Sequence, residues 1–240
     1  MTLFSPSSSW ASEEHHLFSD SVQKFYEHEM VPKVENWNER GIVDRDFWLK
    51  AGAAGIMGGS VAEEYGGSGG DMGFDSVALY EQSRAGDGSW GYGIQSIVIH
   101  YITTYGSPEQ KANWLPKLVS GEKIGALAMT EPGAGSDVQS IKTSAQKDGN
   151  QYTINGSKIF ITNGQSADLV IVTSKTDKDA GAKGVSLIMV DTSKVDGFRR
   201  GKNLKKLGLK GNDTSELFFE NVKVPLTNLI GEEEGQGFYQ

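Results

Sequence analysis

The chain changes its hydrophobic period once, near residue 120, and that change limits its architecture more than any other feature. Before it, apolar residues recur at three- and four-residue spacing, the period of helices with one buried stripe. After it, short runs rich in β-branched and aromatic residues are separated by Gly, Asn and Asp, with no helical stretch between them. Helices followed by strands exclude an alternating parallel α/β fold. They predict an α+β multidomain chain: an α-helical domain over residues 1–121, then an antiparallel β-barrel or sandwich domain over residues 122–240.

In the first half, Leu17, Phe18, Val22, Phe25, Tyr26 and Met30 share one face of a helix predicted over residues 12–30, with Pro32 as its stop. Asp44 can cap a second helix that turns Phe47, Trp48, Ala51 and Ala54 inward. The strongest helical period belongs to Ile94, Ile97, Val98, Tyr101, Ile102 and Tyr105, and Gly106 ends it. Ser107-Pro108-Glu109-Gln110 then supplies an N-cap, a proline at the first helical position and a capping-box Gln. In the second half, strands are predicted at 124–129, 152–161, 169–173, 185–190 and 216–224, with Asp148-Gly149-Asn150 as a hairpin turn.

Charge follows the same division. Of 240 residues, 23 are Lys or Arg and 31 are Asp or Glu, and the whole deficit lies in residues 1–120; the rest balances. An acidic chain is a poor non-specific binder of nucleic acid. No apolar run approaches the ~18 residues of a membrane span. With no cysteine, disulfides, thiolate metal sites and cysteine nucleophiles are excluded together. Residues 1–20 carry Glu13, Glu14 and Asp20 but no Arg and no apolar core, so no targeting segment is expected and the cytoplasm is the expected location.

Several motifs carry possible chemistry. Gly66-Gly67-Ser68-Gly69-Gly70 has the spacing of a hydrolase nucleophile elbow, but no strand precedes it, and a segment this rich in glycine produces such matches by chance. His15, His16 and His28 lie among Glu residues on the first helix without metal-ligand spacing, and are expected on its solvated face. His100 is expected to be structural. Gly133-Ala134-Gly135-Ser136-Asp137 follows a strand but lacks the third glycine of a dinucleotide fingerprint. It reads as a plain turn or as a nest of backbone N–H groups suited to an anion such as pyrophosphate. Residues 197–212 hold six Lys and Arg and no acid before Asp213, either a solvated loop or an attractor for a phosphate-bearing ligand.

Longer motifs point further. Residues 126–137, Ala-Leu-Ala-Met-Thr-Glu-Pro-Gly-Ala-Gly-Ser-Asp, resemble the flavin-binding signature of the acyl-CoA dehydrogenases. Asn155-Gly156-Ser157-Lys158-Ile159-Phe160-Ile161-Thr162-Asn163-Gly164, Leu207-Gly208-Leu209-Lys210 and the segment from Asp213 to Glu220 match the same family in the same order. So do Ala62-Glu63-Glu64-Tyr65-Gly66-Gly67 and Gly106-Ser107-Pro108-Glu109-Gln110, and the wording is closest to the long-chain and isovaleryl branches.

The resemblance implies non-covalent FAD, an acyl-CoA substrate, α,β-dehydrogenation to the trans-2-enoyl-CoA, an electron-transfer flavoprotein as acceptor, and a homodimer or homotetramer. By position, Leu127, Met129 and Thr130 would line the flavin, Gly135 and Ser136 would meet cofactor and substrate, Phe160 would lie against the ring, and Thr162 would reach its N5 region. The glycine cluster at 58–73 becomes a bend of the helical domain. The family's C-terminal helical bundle and its catalytic Glu have no counterpart in this sequence, so no catalytic residue is assigned; the base is expected beyond Gln240, and the 240 residues alone are expected to be inactive. Two alternatives share the β domain: a flavin monooxygenase or nitroalkane-type oxidase, and a non-enzymatic binding module.

Overall fold

The computed structural model describes residues 9–240; residues 1–8 of the N-terminal stretch considered for targeting lie outside the described residues. Among the described residues six α-helices come first: α1 (Glu13–Phe25), α2 (Val34–Arg40), α3 (Arg45–Ala53), α4 (Met72–Arg84), α5 (Tyr92–Tyr105) and α6 (Pro108–Val119). Seven strands follow: β1 (Gly125–Ala128), β2 (Ser144–Asp148), β3 (Gln151–Thr162), β4 (Leu169–Lys175), β5 (Val185–Asp191), β6 (Phe198–Asn203) and β7 (Thr214–Pro225). No helix among the described residues is long and apolar enough to cross a membrane.

The first helix starts at a capping box in which Ser12 and His15 exchange bonds, His15 taking the place usually held by Glu or Gln. Beyond Phe25 the chain continues as one π-helical turn, Tyr26–Met30, before Pro32. The buried stripe of α1 is centred on His15, Ser19, Val22 and Tyr26. At about 100° per residue Leu17 falls on the far side, and it is exposed rather than inward as its apolar character suggests. The stripe meets α4 through polar contacts: Ser19 donates to Glu81 at 2.6 Å and the Tyr26 hydroxyl donates to Ala78 O at 3.2 Å. Behind it, Trp37, Phe47, Trp48, Trp90 and Tyr92 form an aromatic core, with Trp90 stacked on Tyr92 at 4.9 Å.

The glycine cluster folds as tight turns. At Gly67 a Cβ would stand 2.1 Å from Val61 O, so the bend closes only on a residue without a side chain. Helix α5 buries Gln95, Val98, Ile99 and Ile102, whereas Ile97 and Tyr105 stay exposed. Its strong apolar period therefore describes two faces, one in the core and one open.

The strands form one curled seven-stranded sheet, ordered β1-β4-β2-β3-β7-β6, with β5 on β4. Antiparallel pairing dominates, with the β2–β3 hairpin turning at Gly149, whose φ is +61°. Two pairings within it are parallel: β2 meets β4 at Ser144 and Lys175, and β1 pairs with β4, Gly125 opposite Leu169. The hairpin lies between them in sequence, so β4 returns alongside β1 in the same direction. The sheet has one core inside its curl, including Ala128, Ile154, Val172, Ile188 and Phe219. Its other face shares a second core with the helices, where Leu169, Ile171, Leu187 and Met189 meet Val98, Ile102, Leu115 and Leu118. Both faces of β4 are thus covered, which explains its unbroken apolar run. Gln95 ties the halves further, accepting from Gly125 N–H and donating to Leu118 O and Lys123 O.

Candidate functional site

Strand β1 delivers the chain to a loop at residues 129–143 that lies beside β3. Glu131 and Ala134 exchange backbone hydrogen bonds around Pro132-Gly133, and Ile159 N–H donates to Thr130 O at 2.9 Å. Gly135 and Ser136 are exposed, and Thr130 is half-buried. Gly133 and Gly135 have no positive φ, and a Cβ at either would meet nothing within 4 Å. Neither backbone conformation nor packing within the chain requires glycine there. Both positions therefore leave the backbone open to close approach by something outside the chain.

The neighbouring wall is the end of β3. A bulge between Lys158 and Ile161 puts Phe160 at φ +61°, left-handed backbone that a bulky residue rarely adopts, and leaves the residue 63% exposed. Thr162, two residues on, lines a groove of about 550 Å³ with Leu79, Ile94, Ile97, His100 and Leu209. Ile97, His100 and Met72 continue it into a second hollow of about 320 Å³ that reaches Tyr101 and Tyr105. The open face of α5 is therefore one wall of an elongated, mainly apolar trough that begins at Thr162.

Among the residues singled out by sequence, the structure gathers Thr130, Gly135 and Ser136 on the loop, with Phe160 and Thr162 on the adjoining strand. Met129 contributes its carbonyl, which accepts from Lys158. Leu127 instead packs partly against the core shared by sheet and helices. An exposed loop with two open glycines, an exposed aromatic residue on the adjoining strand and a hydroxyl at the trough leave room for a flat, conjugated cofactor.

Three residues of this site escape a reading by chemical role. Lys158 is buried and donates to Met129 O and to Glu131, both at 2.9 Å. Burial lowers its pKa to about 8, against the opposing pull of Glu131. Burial also pushes the Glu131 carboxyl up, but hydrogen bonds from Thr143, Lys142 and Lys158 outweigh it and hold the group below its ordinary value. Asn163, at φ +62°, donates to Gly91 O at 3.1 Å and Gly125 O at 3.0 Å, joining helix start, strand start and the end of β3. A Lys directly before Ile159-Phe160-Ile161 is the visible signal for the first pair. Asn163 leaves no signal beyond its place before Gly164.

Other expectations change. His15 is buried: its ring packs 4.5 Å from Phe74 and its Nε2 lies 2.9 Å from Asp71 Oδ1. The short gap between α1 and the N-terminus of α4 explains why an imidazole fits where solvent was expected. His100, expected to be structural, has Asp75 at 3.4 Å, which raises its pKa despite burial. The basic stretch begins as strand β6, and Arg200 turns inward and donates to Gly164 O and Ala167 O, while burial lowers its pKa. Arg199 covers the Phe218 ring at 4.1 Å. Lys202, Lys205 and Lys210 remain exposed. No cluster of metal-ligating side chains occurs among the described residues.

Comparison with known proteins shows the family. Residues 12–122 match the family described as acyl-CoA dehydrogenase, N-terminal domain, and residues 126–222 match the acyl-CoA dehydrogenase middle domain. The long-chain specific acyl-CoA dehydrogenase of Sus scrofa is 46% identical over 231 residues, 95% of this chain and 53% of that protein. Isovaleryl-CoA dehydrogenase of Pongo abelii is 41% identical over 236 residues, 95% of this chain and 55% of that one. The crystal structure of an acyl-CoA dehydrogenase from Geobacillus kaustophilus superposes with a TM-score of 0.92 at 48% identity, over 96% of this chain and 61% of that chain. Butyryl-CoA dehydrogenase of Megasphaera elsdenii gives 0.89 at 36%, over 95% and 61%. The chain spans about half the length of these relatives, and it covers, in order, both of the domains matched. It belongs to the acyl-CoA dehydrogenase family.

Proposed function

We propose that the protein of which this chain forms part catalyses FAD-dependent α,β-dehydrogenation of an acyl-CoA thioester to the trans-2-enoyl-CoA and passes electrons to an electron-transfer flavoprotein. The observation that carries this reading is the pair of glycines, Gly133 and Gly135, that nothing within the chain requires, beside an exposed and strained Phe160. Bound there, the flavin supplies the acceptor for the substrate's β-hydride.

The chain's own residues bind and orient. The loop at Gly135 and Ser136 would offer backbone N–H groups and a hydroxyl to the cofactor, and Ser136 would also meet the substrate. Phe160 would lie against the flavin ring, and Thr162 places a hydroxyl where the trough opens. The trough takes the acyl group along α5 and keeps water from it through Leu79, Ile94 and Ile97.

Asp75 lines the trough but is unsuited to proton abstraction. Burial pushes its carboxyl up, yet the His100 ring at 3.4 Å and hydrogen bonds from Tyr92, Ser60 and Ser96 outweigh this and hold it below the usual carboxylate range. A base working near neutral pH needs the opposite shift. The base is therefore proposed to lie in the rest of the protein, and self-association into a dimer or tetramer belongs to the same proposal.

Titration of the chain with FAD tests the cofactor, read by quenching of flavin fluorescence. Binding that Phe160→Ala and Ser136→Ala each weaken supports the assignment, and no quenching at any concentration of chain rejects it. Added acyl-CoA should then perturb the flavin absorbance without bleaching it. Bleaching by these 240 residues alone would overturn the placement of the base.

A further inference from the structure

We infer that the buried Glu131–Lys158 pair is the positioning device of the site, locking the loop that carries Gly133, Gly135 and Ser136 to the stretch of β3 that carries Phe160. Only the choice of FAD as probe rests on the function proposed above. The lock itself rests on geometry.

The Lys158 side chain is wholly excluded from solvent and that of Glu131 nearly so. Taking two charges out of water is costly, and a buried ion pair is often no more stabilising than apolar residues of the same shape. A charge buried in the middle of a strand therefore calls for an account other than stability. The bonds supply one. Two of the three ammonium donors go to the loop, to Met129 O and to Glu131, where the loop begins. The Glu131 carboxylate also accepts from Lys142 N–H at 2.6 Å and Thr143 N–H at 2.9 Å, where the loop ends. One carboxylate thus gathers both ends of the loop, and one ammonium fastens that carboxylate to β3.

Between the two ends, the backbone bonds are local: Glu131 with Ala134, Ser140 to Asp137 and Ile141 to Val138. Ala134 and Ile141 also pack on Val185, a small apolar contact. On the other side of the lock, Ile159 N–H bonds Thr130 O directly, and Phe160 follows at once. Moving Lys158 therefore moves both walls.

Three variants test this: Glu131→Gln, Lys158→Met and the two together. Each single variant strands one partner and lowers thermal stability as well as loosening the loop. The double variant removes both charges, so it separates position from stability. We expect it to unfold near the parent temperature while amide exchange in the peptide 132–140 runs at least tenfold faster and FAD affinity falls at least tenfold. Exchange in 132–140 within twofold of the parent in the double variant overturns the inference. A loosened loop with unchanged FAD affinity overturns it as well. If the parent chain takes up no FAD, the cofactor assignment fails by itself, and the exchange comparison still decides whether the pair holds the loop.

Discussion

Asn163 shows how much of this site depends on single buried polar groups. Its side-chain amide serves two carbonyls, Gly91 O and Gly125 O, from elements far apart in sequence. Asn163→Asp keeps the shape and sets a carboxylate against those two oxygens. It should lower stability by about 3 kcal/mol or more, measured by urea unfolding. Lys158 makes a prediction of the opposite kind. Burial lowers its pKa from 10.5 to about 8, so between those values the unfolded chain holds a proton that the folded chain has lost. Stability should therefore gain a contribution that grows as pH rises through that window, and Lys158→Met should remove the gain in a series of unfolding curves. Motif matching finds the neighbourhoods of both residues but not their roles. The Lys158 role depends on a partner 27 positions away, and no local pattern encodes that distance.

Elements were legible where one side of them meets the core and the other meets water. The capping box at Ser107 and Gln110, the hairpin at Gly149 and the apolar runs of β3, β4, β5 and β7 all follow from local chemistry. Legibility fails where an element serves two surfaces. Helix α5 is apolar around much of its circumference because one side packs on α6 and β1 while another walls the trough. Strand β6 escapes notice because its alternation is carried by Arg and Lys stems, with Arg200 turned in and Arg199 laid over Phe218. The bulge in β3 is equally invisible, since nothing local favours Phe at positive φ. That strain can be checked. Phe160→Gly should leave stability unchanged or raise it by about 1 kcal/mol, because left-handed backbone costs a bulky residue more than glycine's extra freedom does. FAD affinity should fall in the same variant. A loss of both stability and affinity would mean that the ring packs for the fold rather than for a ligand.

At the scale of the molecule, the two halves differ in composition and charge but share the core between α5, α6, β4 and β5. Heating should produce one cooperative transition, with helical circular dichroism and tryptophan fluorescence changing together. Residues 122–240 expressed alone would expose Leu169, Ile171, Leu187 and Met189 on one face of the sheet. They should bind a hydrophobic dye and lack a sharp transition. The shared core also has a consequence in time. On the ribosome, α5 and α6 emerge before the strands that cover them, and at roughly 5–20 residues per second the wait for β4 and β5 lasts several seconds. During that interval the helical half carries an uncovered apolar seam. The nascent chain is thus most open to chaperone capture, or to association with its neighbours on a polysome, between the synthesis of α6 and that of β5.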